Sequence, residues 1–177
     1  MTLAYVRTKA RGKTDLLLSD LARHLAEQGV RLCGVVQSNT ACSDSQLCDM
    51  DVRVLPDGPV FRISQSLGAG ARGCRLDPAA LEQAVAHVAQ SLAGPDQRRP
   101  ALMIVNKFGK HEVDGRGFRP LIAEALMAGI PVLTAVNPTN EAAFLAFSEG
   151  LARCLPDQLP ALLEWVAQRP AGVASNV

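Results

Sequence analysis

Residues 7–15 read RTKARGKTD, and their last part, Gly12-Lys13-Thr14, has the groups with which a phosphate-binding loop ends. Such a loop needs a glycine that lets the backbone approach the anion and a lysine that reaches the outer phosphates. It also needs a hydroxyl for magnesium and a helix start that aims N–H groups at the ligand. Arg7 stands where the opening glycine of such a loop belongs, at the correct spacing from Gly12. A guanidinium there could present its planar donors to a phosphate or another oxyanion. Arg7, Lys9, Arg11 and Lys13 make the stretch basic, so a solvated basic turn is the competing reading.

A second group of polar residues, Asn106-Lys107-Phe108-Gly109-Lys110-His111-Glu112, follows the apolar run Ala101 to Val105. In a nucleotide hydrolase, the strand beside the phosphate loop ends in an aspartate that holds magnesium, with an acid near it that orients water. Asn106 and Lys107 occupy those places. An amide is a weaker magnesium partner than a carboxylate, and a charged ammonium cannot act as a base. Glu112 and Lys110 are the remaining catalytic candidates, and His111 reads as a solvated loop side chain. The pattern suits holding an anion better than cleaving one. A third stretch, Leu67 to Asp77 (LGAGARGCRLD), offers Arg72 and Arg75 on glycine hinges that could close over an anion, or a plain connection ahead of a helix. Ser64 and Gln65 could add neutral donors.

These loops need a frame that brings them to one edge. Leu3 to Val6 reads as a strand, residues 14–28 as a helix with Leu18, Leu21, Ala22 and Leu25 on one face, and Arg31 to Gln37 as a buried strand. Residues 38–49 read as a polar loop. Asp51 to Leu55 and Val60 to Ser64 alternate about Pro56-Asp57-Gly58, a hairpin signature. Asp77-Pro78 opens the next helix as N-cap and N1. Ala101 to Val105 and Ile130 to Val136 are continuous apolar runs, as in strands covered on both faces. Helices are expected over residues 118–128, 140–149 and 159–168. Alternating strands and helices predict an α/β fold: a mainly parallel sheet, helices on both faces, an inserted β-hairpin and right-handed crossovers.

The chain has 177 residues, 48% apolar and 20% charged, which suits one globular domain over residues 1–170 with a frayed tail at 171–177. With 18 Lys+Arg against 17 Asp+Glu, the charge balance offers no nucleic acid or acidic membrane as partner. No leader-like or membrane-spanning run is visible, so a cytoplasmic protein is expected. Its five cysteines (Cys33, Cys42, Cys48, Cys74 and Cys154) lack Cys-x-x-Cys spacing and read as free thiols, with a metal site from Cys42, Cys48 and Cys74 as the alternative. A homo-oligomer stays open.

The chain also resembles a bacterial P-loop family of unknown function, domain of unknown function 2478. The resemblance rests on Cys48-Asp49-Met50-Asp51, Arg62-Ile63-Ser64-Gln65, Gly73-Cys74-Arg75-Leu76-Asp77, residues 106–112 with Gly115-Arg116-Gly117, and Gly129-Ile130-Pro131-Val132-Leu133. It runs from about residue 4 to 156. More distantly the chain is similar to the cancer-related and thermophilic nucleoside triphosphatases, whose acidic glycine-lysine motif carries over as Gly109, Lys110 and Glu112 but not at Asn106 and Lys107. The resemblance implies a three-layer P-loop NTPase-like fold and ATP or GTP binding, with magnesium carried by the nucleotide on Thr14. It also points to molybdenum metabolism. Nucleotide binding with weak or absent hydrolysis is thus the first expectation, on Arg7, Lys9, Arg11, Gly12, Lys13, Thr14, Arg72, Arg75, Asn106 and Lys107. A non-hydrolytic sensor or carrier for phosphate, sulfate or molybdate is the second.

Overall fold

The protein is described by a computed structural model covering residues 2–8, 12–40, 49–65, 76–94 and 99–168. The elements in chain order are β1 (Leu3–Arg7), α1 (Lys13–Glu27), β2 (Leu32–Thr40), β3 (Asp49–Val54), β4 (Val60–Arg62), α2 (Pro78–Leu92), β5 (Leu102–Phe108), α3 (Lys110–Val113), α4 (Arg119–Met127), β6 (Val132–Val136), α5 (Pro138–Phe147), β7 (Arg153–Leu155) and α6 (Leu159–Ala167). Among the described residues the strands form one sheet in the order β4-β3-β2-β5-β6-β1-β7. β1 runs parallel to β6 and β7, and β5 runs parallel to β2 and β6. The β3–β4 hairpin adds two antiparallel strands at one edge.

Alternation along the central strands sends side chains to two separate cores. Leu3, Tyr5, Met103, Val105, Val132 and Val136 pack beneath α2, α4 and α5 on one face. Ala4, Val6, Leu102, Ile104, Leu133 and Ala135 pack beneath α1 and α6 on the other. Covering both faces is what lets these strands be continuously apolar. The helical stripe Leu18, Leu21, Ala22 and Leu25 fills the second core, as expected. Gly29 ends α1 with φ +74°, where the Val30 N–H returns to the Leu25 carbonyl. Asp77 caps α2 through Ala79 N and Ala80 N, with Pro78 at N1.

Several expectations change. β2 continues through Ser38 and Asn39 to Thr40, into the stretch read as loop, because β3 pairs antiparallel with it as far as Thr40↔Asp49. β7 has no apolar run to announce it; its backbone completes the free edge of β1. β5 extends past Val105 through Asn106 and Lys107 to Phe108. β5 does not lie beside β1 either, since β6 separates them, so the two candidate loops leave strands with one strand between them.

The register between β5 and β6 slips after Val105: Val105 faces Thr134, but Phe108 faces Val136. This inserts one extra residue into β5, the geometry of a β-bulge. Phe108 thereby joins Val105 in the first core, and the two residues between them are released to the sheet's end.

Candidate functional site

The turn into α1 is built on Gly12, which holds φ +78° and ψ −24° as the helix N-cap. Among the described residues no atom lies within 4 Å of where its Cβ would be, so its left-handed conformation is what favours glycine there. Gly12 itself brings no side-chain cap to α1, so among the described residues the N-cap position leaves the first N–H groups to other acceptors, at the positive end of the helix dipole. Lys13 is exposed, its Nζ 3.6 Å from Asp157 ahead of α6. Thr14 and Asp15 are buried.

Arg7 takes a different direction from the one its place in the loop suggests. Alternation along β1 puts it on the face of Leu3 and Tyr5, opposite the α1 face. There its Nε donates to both Glu141 carboxylate oxygens at 2.7 and 2.9 Å, and the Tyr5 hydroxyl donates to the same carboxylate at 2.9 Å. These bonds hold the Glu141 carboxyl below the usual carboxylate range. Burial, then the Glu141 bond, pushes the Tyr5 phenol up to about 12. Arg7 thus fastens β1 to α5, and the structure does not bring its guanidinium together with Lys13.

Asn106 and Lys107, in the bulge of β5, both reach the first turn of α1. Asn106 Nδ2 donates to Asp15 Oδ1 at 2.9 Å, and Lys107 Nζ lies 3.1 Å from the same oxygen. Asn39 Nδ2 donates to Asp15 Oδ2 at 2.5 Å. Gln37 links the amides, donating to Asn39 Oδ1 at 2.7 Å and accepting from Asn106 Nδ2 at 3.4 Å. Asn106 Oδ1, fully buried, has no donor among the described residues. Asp15, Gln37 and Asn39 were not singled out from sequence. Asp15 directly follows Thr14, a usable signal, whereas Gln37 and Asn39 acquire their role only through the extension of β2.

Glu112 is turned inward. Its Oε2 accepts from Gly109 N at 2.9 Å and its Oε1 from Phe118 N at 3.1 Å, which closes α3 and the turn into α4. Burial pushes its carboxyl upward against the pull of those N–H groups. Gly117, at φ +60°, has no room for a side chain because a Cβ would strike Glu112. His111 Nε2 pairs with Glu82 of α2 at 2.9 Å. The pair lies in a groove of about 620 Å³ between α2 and α4, which takes no lining residue from β1, α1 or β5. Lys110 is exposed at the start of α3.

Lys9, Arg11, Arg72 and Arg75 lie outside the described residues, as do Cys42, Cys48 and Cys74 and with them the thiol metal site. Cys33 and Cys154 are free; burial raises the Cys33 thiol to about 12, and Cys154 is exposed. Among the described residues no group of three or more His, Cys, Asp or Glu could hold a metal, and no helix is long and apolar enough to cross a membrane.

Magnesium takes oxygen ligands in a near-octahedral shell, usually with one or two carboxylates beside the substrate phosphates. Asp15 is the one carboxylate in the network, and an ammonium and two amides already bind it. The position expected to hold the metal through a carboxylate offers the neutral Asn106 oxygen, with an ammonium beside it. These residues do not fit a protein-held magnesium.

The chain is 37% identical over 151 residues to the molybdenum import ATP-binding protein ModC 2 of Bradyrhizobium diazoefficiens. That match takes in 85% of this chain but only 16% of the relative's length. Its fold is similar to the solution structure of a human cancer-related nucleoside triphosphatase, with a TM-score of 0.67 over 96% of this chain and all of that one, at 18% identity. The fold is therefore the mixed α/β arrangement of that protein, helices flanking a mostly parallel sheet. The family described as protein of unknown function DUF2478 matches residues 3–165. The chain belongs to that family.

Proposed function

We propose that the protein binds the phosphates of a purine nucleoside triphosphate at the N-terminus of α1 and hydrolyses it weakly or not at all. The observation that carries this is the α1 start on a left-handed Gly12, an N-cap with no side chain of its own, with Lys13 exposed beside it. Gly12 lets the backbone approach the phosphates, Lys13 meets the outer oxygens, and the Thr14 hydroxyl borders the same turn. Lys9 and Arg11, between Thr8 and Gly12 in the sequence, would add positive charge. Arg7 acts at a distance, by fixing β1 against α5.

Weak hydrolysis follows from what surrounds this turn. A general base must be free to take a proton. Both Glu112 oxygens are engaged by backbone N–H groups, and Lys107 brings an ammonium where an acid would orient water. Titration with ATP and GTP by calorimetry tests the reading, with phosphate release followed alongside. Lys13→Ala is expected to weaken binding by about tenfold or more, the loss of one charge-assisted contact. Tight binding indifferent to that substitution removes the proposal.

A second reading is a carrier or sensor for a simple oxyanion such as phosphate, sulfate or molybdate. It is favoured by the exposed Lys13 and Lys107 beside the start of α1 and by similarity to a protein named for molybdenum import. Thermal stabilisation by these oxyanions, measured against ATP and GTP, separates the two, since only a ligand that prefers the folded state raises the melting temperature.

A further inference from the structure

We propose that Lys107 takes the place of the divalent cation, so that the site binds its triphosphate as the metal-free anion. This rests on the nucleotide reading above and specifies the form of ligand that the site accepts. The bulge after Val105 delivers Asn106 and Lys107 together to the first turn of α1. Lys107 is 43% exposed at its side chain while Asp15 beneath it is 4% exposed. The carboxylate therefore anchors the ammonium from below and solvent meets it from outside. An ammonium has three donors. Asp15 engages it at Oδ1 and Oδ2, 3.1 and 3.4 Å away, which leaves donor capacity on the outward side for a phosphate oxygen.

The anchor is itself fixed, since Asn39 and Asn106 hold Asp15 and Gln37 holds both amides. A side-chain cation is thereby held in one place, as a bound metal would be, without the entropy cost of fixing a free lysine at binding. The second independent feature is the Asn106 oxygen, 2% exposed as a residue and lacking a donor. A buried acceptor without a partner is costly. A water or hydroxyl donor accompanying the ligand would satisfy it. A divalent ion at this point would instead meet the Lys107 ammonium as a like charge.

The test is ATP titration of the full chain by calorimetry in chelator and in excess magnesium. Wild-type affinity is expected to be as high in chelator as in magnesium, or higher. Lys107→Met should bind about tenfold more weakly in chelator, from loss of one charge-assisted contact, and should recover part of that with magnesium. Because this substitution leaves Asp15 buried without its counter-charge, the double variant Asp15→Asn with Lys107→Met is measured in parallel and is expected to show the same pattern. ATP binding that requires magnesium, or that is unchanged in chelator in both variants, overturns the metal-free proposal and leaves the nucleotide reading standing. No binding of ATP under either condition overturns both.

Discussion

Glu112 shows how a residue type can be foreseen and its work misplaced. A glutamate close behind a candidate metal-holding strand suggests acid–base chemistry, but its two oxygens are spent on Gly109 N and Phe118 N. Its carboxyl is raised by burial, so the folded state favours the protonated form. The stabilising effect of that protonation is complete below the unfolded carboxylate value and is lost as pH rises through the folded one. Glu112→Gln does not titrate. The stability difference, wild type minus variant, should therefore be largest at acid pH and decline as pH rises, as read from denaturant unfolding across that range. A difference that stays constant or grows with pH would show that burial does not govern this group. Arg7 carries a related lesson: position in a loop suggested an anion contact, and strand alternation turned the side chain to Glu141 instead.

The decisive element-scale feature is the pair β2 and β5, which lies under the polar network. Gly34 in β2 has φ +101°, and a Cβ built there would fall on the Ile104 carbonyl of the adjacent strand. Both the left-handed backbone and the close approach exclude any side chain. Gly34→Ala should separate the strands locally, with a loss of about 2 kcal/mol or more, the scale of overpacking combined with left-handed strain. Denaturant unfolding of the purified variant measures it, and a cost near zero would mean that the sheet yields freely at this point. Asn39 and Lys107 should lose their common hold on Asp15 in the same variant. The long helices α1 and α2 were legible because each buries a stripe with a 3.6-residue period and has a boundary signal, Gly29 or Asp77-Pro78, whereas the four-residue α3, in a stretch read as loop, is too short to show a period. β7 was not, because three residues with two exposed carry no pattern of their own.

For the whole molecule, the two cores share the strands of one sheet. Tyr5 belongs to one core and its neighbours Ala4 and Val6 to the other, so neither core can melt while the strands between them stay intact. We expect one cooperative transition, with far-UV and near-UV circular dichroism giving coincident curves. Two separated transitions would show that the α1–α6 face and the α2–α4–α5 face unfold independently. The same sharing should make the site respond to remote packing. β1, β2 and β5 contribute to both the cores and the sheet end where Asp15, Asn39 and Lys107 meet.

By itself the sequence determined the local structure: the alternation of strands and helices, the hairpin, the caps, and the Gly12-Lys13-Thr14 turn. Those properties reside in periodicity and in conformational limits of single residues, which neighbours in the chain express directly. Tertiary structure alone decided that β6 stands between β1 and β5, that β2 continues to Thr40, and that a bulge swings Lys107 onto Asp15. Each depends on hydrogen bonds between strands far apart in sequence, and a register shift of one residue redirects every side chain beyond it. The turn within RTKARGKTD was therefore readable, but the counter-charge of its last residue was not: Lys107 lies 92 residues from the Asp15 that holds it.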